Sequence, residues 1–431
     1  MRYYLFIFII GIAACVPVKH KYVVNSLKEV ESRFQDHKGF MLYDPESKQE
    51  LISYRADKYY IPASNTKVLT LFASLQIIGD SIPALYYTER GDSLIIQGSG
   101  DPSFLYRYVH QNANVFDFLK YTQKIIYFSA DNFQTAHFGP GWAWNDYNYA
   151  YSPERSAFPV YGNVFKVSKA AYQNTLQIDL PIFKKYFWLG DSLQRTPYVM
   201  RDIGTNRIDY FPGIQTRDMS WQVPFKTSAD LLVDLLADTL KREVRQLRRP
   251  VSLSQKKIIY SIPADSLYKV MMEESDNFIA EQLLLVCAGL LSDTLNPDIT
   301  IKYLQENYFQ QLPDRPVWVD GSGLSRYNLT TPRSMVKLWE MLYQQIPHER
   351  LIPLLATGGI SGTLKSNYKA EQPYVFGKTG TLRNNHNLSG FIKTKSGRML
   401  IFSFMNNNFT TAASEVRAEM EQILQYIRDN Y

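Results

Sequence analysis

The sequence predicts an α+β fold in which one domain is interrupted by a β-rich insert. Three observations predict it. Helical periodicity of apolar residues lies before residue 79 and returns after residue 225, a strand-and-turn texture rich in Tyr, Trp and Pro fills 79–224, and strand patterns precede a last helix. We therefore expect 23–78 and 225–431 to form one discontinuous domain and 79–224 to form the insert, with a subdomain at 165–216.

The first part of the discontinuous domain contains a helix, two strands and a second helix. Helical periodicity predicts the first helix at 25–34, and alternating apolar residues predict strands at 39–43 and 51–54. Pro62 stands shortly before the apolar run 68–78, and a proline at that place is typical of a helix start.

The second part of that domain is more helical and ends in strands and a helix. Its predicted bounds are helices at 231–244, 267–273 and 278–291, strands at 390–394 and 399–405, and a last helix at 412–428.

Composition excludes several classes of protein. With 45% hydrophobic and 20% charged residues, the chain has the balance of a packed globular protein and not of a disordered one. Lys and Arg number 47 against 41 Asp and Glu, and the net charge of +6 is spread along the chain. Nucleic acid is therefore not expected as a partner. Aromatic residues make up 14%, and we interpret most of them as core residues.

The first fourteen residues predict an exported protein. Arg2 precedes the apolar run 3–14, which is too short to span a bilayer and is typical of a secretory signal. The run ends in Ala13-Ala14-Cys15, which resembles the bacterial lipobox, whose cysteine is acylated and becomes the first residue of the mature protein. The alternative is an ordinary signal cleavage after Ala14.

These features predict where the protein resides. A signal peptide at 1–14, a lipidated Cys15 and a tether at 15–22 would place it on the periplasmic side of the bacterial cell envelope, anchored to a membrane by lipid. Cys287, within an apolar run, is predicted to be a buried small residue.

Metal and histidine chemistry have no support in the sequence. The six histidines form neither a His-Glu-x-x-His pattern nor a Cys-His pair at ligand spacing, and no Gly-x-Ser-x-Gly or phosphate-binding loop occurs. We therefore expect no metal and no cofactor.

A serine can also be activated by a lysine three residues later, because the two side chains then lie on one helical face. Burial lowers the pKa of such a lysine, so that it can act as a base, and the helix N-terminus offers positive potential to an oxyanion. Most of the five Ser-x-x-Lys patterns must be coincidental. They are Ser64–Lys67, Ser254–Lys257, Ser266–Lys269, Ser334–Lys337 and Ser366–Lys369.

Two further patterns single out Ser64. Ser275-Asp276-Asn277 is the only Ser-x-Asn in the chain, about 210 residues after Ser64, and Lys378-Thr379-Gly380 is the only Lys-Thr-Gly. Each pattern alone is also explained as a helix cap or a strand end. Together, in this order, they match the set found in penicillin-interacting enzymes.

With these motifs the chain resembles the class C low-molecular-mass penicillin-binding proteins, which are serine D-alanyl-D-alanine carboxypeptidases and endopeptidases. The resemblance covers nearly the whole mature chain and implies the penicillin-binding, β-lactamase-like serine transpeptidase fold, an antiparallel sheet flanked by helices. Further segments that are similar to family signatures are 98–102, 141–146, 320–325 with Thr331-Pro332, 362–364 and 388–390.

The resemblance implies the catalytic roles. Ser64 attacks the carbonyl of the penultimate D-alanine, Lys67 takes its proton, and Ser275 relays that proton to the leaving nitrogen. Asn277 orients Lys67 and the substrate amide. The backbone N–H groups of Ser64 and Thr381 form the oxyanion hole.

The resemblance also implies how substrate is bound. Lys378, with Thr379 and Gly380 of the same motif, binds the terminal carboxylate. Asp146 binds the free amine of the third residue of the stem peptide, and Tyr151 forms a wall beside it. Judged from its neighbours alone, Asp146 is equally well a solvated loop residue. The implied partners are peptidoglycan stem peptides and β-lactam antibiotics.

Other functions remain open from the sequence. A serine β-lactamase or related esterase would use the same nucleophile, and Tyr161-Gly162-Asn163 imitates its Tyr-x-Asn motif, but Ser275-x-Asn277 would then be unexplained. A non-catalytic cell-wall scaffold on the same fold is a second alternative. The sequence does not separate carboxypeptidase from endopeptidase, since both cut after a D-alanine.

Overall fold

The computed structural model describes residues 18–110, 113–173, 175–191, 194–214, 216–248 and 256–431. The predicted signal peptide at 1–14 and Cys15 lie outside the described residues. In chain order, the described helices are α1 (Val18–Phe34), α2 (Lys67–Ile77), α3 (Asn114–Tyr121), α4 (Ala229–Leu240), α5 (Ala264–Glu273), α6 (Asn277–Ser292), α7 (Pro297–Asn307), α8 (Pro332–Gln345), α9 (His348–Leu351) and α10 (Ala413–Asn430).

The strands of the same described residues form four sheets. In chain order they are β1 (His37–Asp44), β2 (Gln49–Tyr54), β3 (Ser81–Arg90), β4 (Ser93–Gly98), β5 (Ile125–Ser129), β6 (Val164–Lys169), β7 (Gln177–Ile178), β8 (Phe187–Leu189), β9 (Tyr198–Arg201), β10 (Ile208–Phe211), β11 (Met219–Pro224), β12 (Val244–Gln246), β13 (Lys257–Pro263), β14 (Ala356–Thr357), β15 (Val375–Leu382), β16 (Asn385–Lys393) and β17 (Met399–Asn407).

A six-stranded antiparallel sheet joins the two ends of the chain. Its strand order is β14-β15-β16-β17-β1-β2, so β1 from the first part pairs with β17 from the last, with Phe40 opposite Phe404. Phe40 and Leu42 of β1 pack toward α1 and α10, whereas Met41 packs toward a helical layer that contains α2, α5, α6 and α8. This alternation follows from the two-residue period of a strand buried on both faces.

The α6 helix is the centre of the helical layer. Its residues from Phe278 to Gly289 are all buried, as expected for a helix that is apolar around most of its circumference. Cys287, the free cysteine among the described residues, lies on this helix and is buried. None of the helices in the described ranges is long and apolar enough to cross a membrane.

The chain enters the first helix earlier than the sequence predicts. Helix α1 begins at Val18, so residues 18–22 of the predicted tether are helical. The ring of Tyr22 stacks on that of Tyr426 of α10 with centroids 3.9 Å apart, and Val23 is fully buried beneath them. This packing against the last helix extends the helix toward the N-terminus.

The five-stranded sheet of the insert includes two strands that come after residue 225 in the sequence. Its order is β12-β5-β4-β3-β13, and β13 pairs with β3 along Lys257–Pro263 while β12 adds to β5. The division into domains stays a prediction. Strand β13 ends at Pro263, and α5 of the helical layer begins at Ala264.

A smaller pair of three-stranded sheets occupies the region of the predicted subdomain. Their orders are β8-β10-β9 and β11-β6-β7. They enclose a separate hydrophobic cluster in which Phe165 stacks on Phe183 at 4.3 Å and Val199 and Ile208 are buried. The strands extend to Pro224, past the predicted end at 216.

Candidate active site

Ser64 lies in a tight turn that leads into α2. The turn is a 3₁₀ helix over Ala63–Thr66, and Lys67 is the first residue of α2. Although Ser64 precedes the α-helix, the spacing of three residues still brings the Nζ atom of Lys67 to 2.9 Å from its Oγ atom. Ala63 has a positive φ of 49°, so the turn directs Ser64 out of the regular helical path.

The Lys67 ammonium makes three hydrogen bonds in a buried site. It donates to Ser64 Oγ, to Asn277 Oδ1 at 2.6 Å and to the backbone carbonyl of Ser322 at 2.6 Å, and its side chain is fully buried. Burial lowers the pKa of Lys67 to about 8, against the opposing attraction of Asp320 and other nearby carboxylates. Lys67 is therefore a buried amine that loses its proton near physiological pH and can act as a base.

The segment that leads into α6 positions Asn277 against this lysine. Ser275 has a positive φ of 63°, and the Asp276 carboxylate caps the helix by accepting a hydrogen bond from the Ile279 N–H at 2.8 Å. The hydroxyl of Tyr106 donates to the other Asp276 oxygen. Asn277 accepts from Lys67 and donates to the Tyr151 carbonyl at 2.9 Å, so it links the catalytic helix to the insert.

Strand β15 carries the Lys-Thr-Gly motif to the other side of Ser275. Lys378 is fully buried and its Nζ lies 2.8 Å from Ser275 Oγ. Burial, reinforced by Lys67, holds the pKa of Lys378 well below its usual value. A side chain at Gly380 would meet the Pro62 carbonyl oxygen at 2.4 Å, so glycine permits β15 to lie against the Ser64 turn.

The loop at 320–325 supplies contacts that the sequence did not reveal. The motif at these positions contributes the backbone carbonyl of Ser322, and a backbone carbonyl carries no sequence signal. Glu281 accepts from the Ser322 N–H at 2.8 Å, and Asp320 accepts from the Gly323 and Ser325 N–H groups, so buried carboxylates hold the loop. The Oε2 atom of Glu281 also forms an ion pair with the Nη1 atom of Arg155 at 3.3 Å.

An open cleft of about 830 Å³ contains the predicted substrate-binding residues of the insert together with Ser64. The Tyr151 hydroxyl donates to Asp146 Oδ1 at 2.9 Å. Burial raises the pKa of Tyr151, and the hydrogen bond to Asp146 raises it further. Thr381 also lines the cleft. Arg326 and Arg383 line it as well, although neither belongs to a sequence motif.

The remaining predicted residues are placed as follows. Thr379 donates through its hydroxyl to Thr363 at 2.8 Å and is nearly buried beside Lys378. The segment Tyr161-Gly162-Asn163, which resembles the Tyr-x-Asn motif of β-lactamases, lies in the insert. The Tyr161 hydroxyl is hydrogen-bonded to the Thr239 hydroxyl, and Tyr161 does not line the cleft. Among the residues that the structure describes, no group of three His, Cys, Asp or Glu side chains could hold a metal ion.

A buried lysine that contacts a serine at the start of a helix, opposite a strand bearing Lys-Thr-Gly, defines a serine enzyme of the penicillin-interacting class. A sequence model of the D-Ala-D-Ala carboxypeptidase 3 (S13) family matches residues 23–427, and the chain belongs to this family. It is a serine peptidase, a hydrolase of the low-molecular-mass penicillin-binding group that acts on peptidoglycan in the cell envelope. The predicted family and enzyme class are confirmed.

Relatives support the same assignment. The D-alanyl-D-alanine carboxypeptidase DacB of Haemophilus influenzae is 24% identical over 439 residues, covering 91% of this chain and 90% of that protein. The structure of penicillin-binding protein 4 from the same organism superposes with a TM-score of 0.73 at 21% identity, covering 93% of this chain and 98% of that one. The predicted α+β fold is thereby confirmed.

A more distant structure has the same fold. It is a penicillin G-acylated predatory endopeptidase of Bdellovibrio bacteriovorus in complex with an immunity protein, with a TM-score of 0.50 at 15% identity, covering 90% of each chain.

Proposed function

We propose that this enzyme releases the terminal D-alanine of peptidoglycan stem peptides through an ester on Ser64. The observation that carries the proposal is the position of the Lys67 Nζ atom, which lies within hydrogen-bonding distance of both Ser64 Oγ and Asn277 Oδ1. A base with a pKa of about 8 at this place is suited to activate a serine hydroxyl.

In the acylation step, Ser64 Oγ attacks the carbonyl of the penultimate D-alanine and its proton passes to Lys67 Nζ. The negative charge that forms on the carbonyl oxygen is held by the backbone N–H groups of Ser64 and Thr381. One such donor is worth about a hundred- to a thousandfold in rate. The C–N bond then breaks, Ser275 passes the proton to the leaving nitrogen, and D-alanine departs.

In the deacylation step, a water molecule attacks the Ser64 ester. Lys67, which is neutral again after the leaving group has been protonated, takes the proton of that water. The C–O bond to Ser64 breaks, and the serine oxygen recovers a proton from Lys67. A β-lactam opens by the same attack, since its amide carbonyl takes the place of the peptide carbonyl, and forms the same kind of ester.

Two charges orient the substrate. Lys378 and Thr379 bind the terminal carboxylate, and Asp146 binds the free amine of the third stem residue beside Tyr151. The position of Asp146 in the cleft with Ser64 supports this role. An endopeptidase reaction uses the same acylation and differs only in the leaving group, which is then a cross-linked peptide.

The decisive experiment labels the enzyme with fluorescent penicillin and measures D-alanine release from a pentapeptide. We expect both in the wild type and neither in Ser64→Ala. Ser366→Ala is the matched control, since it changes an exposed serine of another Ser-x-x-Lys pattern and should retain both. Equal labelling of Ser64→Ala would overturn the nucleophile assignment. Rapid penicillin turnover without peptide cleavage would identify a β-lactamase instead.

We propose in addition that Cys15 carries a lipid and anchors the enzyme to a membrane on the periplasmic side, after removal of 1–14. The support is the lipobox-like sequence Ala13-Ala14-Cys15. In cells, Cys15→Ala should move the enzyme from the membrane fraction to the soluble fraction, whereas Cys287→Ala should not. Membrane retention of Cys15→Ala would reject the anchor.

A further inference from the structure

A second groove lies beside the active-site cleft on the insert, and the proposed reaction does not use it. Its volume is about 510 Å³, and it runs between the segment 144–150 and strands β9 and β11. Asn145 lines both the groove and the cleft that contains Ser64, so the two are adjacent.

Aromatic rings form the walls of this groove. Trp144 is 79% exposed, which is unusual for a tryptophan. Tyr198 stacks on Phe211 with ring centroids 4.5 Å apart, and Trp221 contacts Tyr210 edge to face at 6.3 Å. These contacts hold two of the walls in place before any ligand binds, which reduces the entropy cost of binding.

Side-chain amides line the groove together with the aromatic rings, whereas none of the described residues that line it is charged. The amides are those of Asn145, Asn148 and Gln222. Asn148 also fixes the geometry, because its side-chain oxygen accepts from the Arg201 N–H at 2.9 Å and so ties the segment to β9. The neighbouring cleft, by contrast, contains Asp146, Arg326 and Arg383.

We infer that this groove binds the glycan strand to which the stem peptide is attached, an inference that rests on the proposed function. N-acetylated amino sugars are uncharged, present C–H faces that stack on aromatic rings, and carry hydroxyl and acetamido groups that pair with amides. The charged stem peptide matches the charged cleft instead. The residues of the stem between the cleavage site and the sugar span about 3.3–3.6 Å each when extended, so the sugar must lie close to the cleft.

Paired substrates test this inference. We compare kcat/KM for a disaccharide pentapeptide with that for the same pentapeptide freed from its sugar. In the wild type the sugar-bearing substrate should be preferred by about tenfold, and in Trp144→Ala/Tyr198→Ala the preference should fall to about one. Trp188→Ala is the matched control, because Trp188 is 45% exposed on β8 and does not line the groove.

An equilibrium measurement separates this inference from the reaction itself. We expect N-acetylglucosamine tetramer to bind the wild type and Trp188→Ala saturably, and to lose at least about tenfold in affinity for Trp144→Ala/Tyr198→Ala. No sugar preference in the wild type, or a preference and affinity that survive the double substitution, would overturn the inference. Failure of the wild type to release D-alanine from the sugar-free peptide would overturn the proposed reaction alone.

Discussion

The Nζ atom of Lys67 lies 2.9 Å from the Oγ atom of Ser64, and the lysine is fully buried. Burial makes the charged ammonium costly, whereas Asp320, Asp276 and Glu281 attract it, and the balance leaves the pKa near 8. Both protonation states of Lys67 are therefore accessible at the pH of the cell envelope. The fold thus prepares Lys67 to act as a base, because it buries the amine and places three carboxylates near it.

The pH dependence of acylation should report this pKa. Because the neutral amine of Lys67 is the base, the second-order rate constant for penicillin acylation should rise with pH, with a midpoint at about 8, and level off above it. Stopped-flow measurements with a fluorescent penicillin check this. Lys67→Arg should be inactive at every pH, since a guanidinium stays protonated. A flat or falling profile would contradict the role of Lys67.

Substrate binding should be accompanied by proton uptake at Lys378. In the structure, burial and the charge of Lys67 both lower the pKa of Lys378. A substrate carboxylate next to it raises that pKa, because an opposite charge favours the ammonium. Calorimetric titration of Ser64→Ala in buffers of different ionisation enthalpy should therefore show net uptake of protons with a D-Ala-D-Ala peptide.

The control for that experiment is the methyl ester of the same peptide, which lacks the carboxylate and should bind without the uptake. Lys378→Met should also bind without it. The assignment of Lys378 as the carboxylate-binding residue fails if the free acid binds with no proton exchange in any buffer.

The residues that could be predicted from the sequence are those whose side chains take part in the chemistry and whose motifs follow one another in a fixed order along the chain. Lys67 lies within hydrogen-bonding distance of Ser64, and Lys378 lies within hydrogen-bonding distance of Ser275, because three local patterns each dictate a helix start, a cap or a strand. The carbonyl of Ser322 was beyond sequence reasoning, since every residue has one. The pairing of β13 with β3 was also missed, because a strand pattern does not specify a distant partner.

The charge of Asp146 should determine the preference for the third stem residue. Its carboxylate lies in the cleft and accepts a hydrogen bond from Tyr151, so it is available to an amine. Asp146→Asn keeps the size and removes the charge. We expect kcat/KM to fall about tenfold for a peptide with lysine at that residue and to change little for norleucine. Equal effects on both peptides would refute charge recognition, and steady-state kinetics with the two peptides measure this.

The conformation of Gly323 should be essential to the catalytic loop. Its φ is +83°, and an added Cβ would lie 1.9 Å from the Ala63 carbonyl oxygen, next to the nucleophile. Gly323→Ala therefore combines backbone strain with a collision, and we expect the free energy of unfolding to fall by at least ~2 kcal/mol. Acylation should slow as well, because the adjoining Ser322 carbonyl would move away from Lys67.

Gly79→Ala is the matched control, since an added Cβ at Gly79 has no heavy atom within 4 Å among the described residues. Thermal unfolding should place Gly79→Ala at or slightly above the wild-type melting temperature and Gly323→Ala several degrees below it. If Gly323→Ala kept both its melting temperature and its acylation rate, the close contact between this loop and the Ser64 turn would not be what holds Lys67 in position.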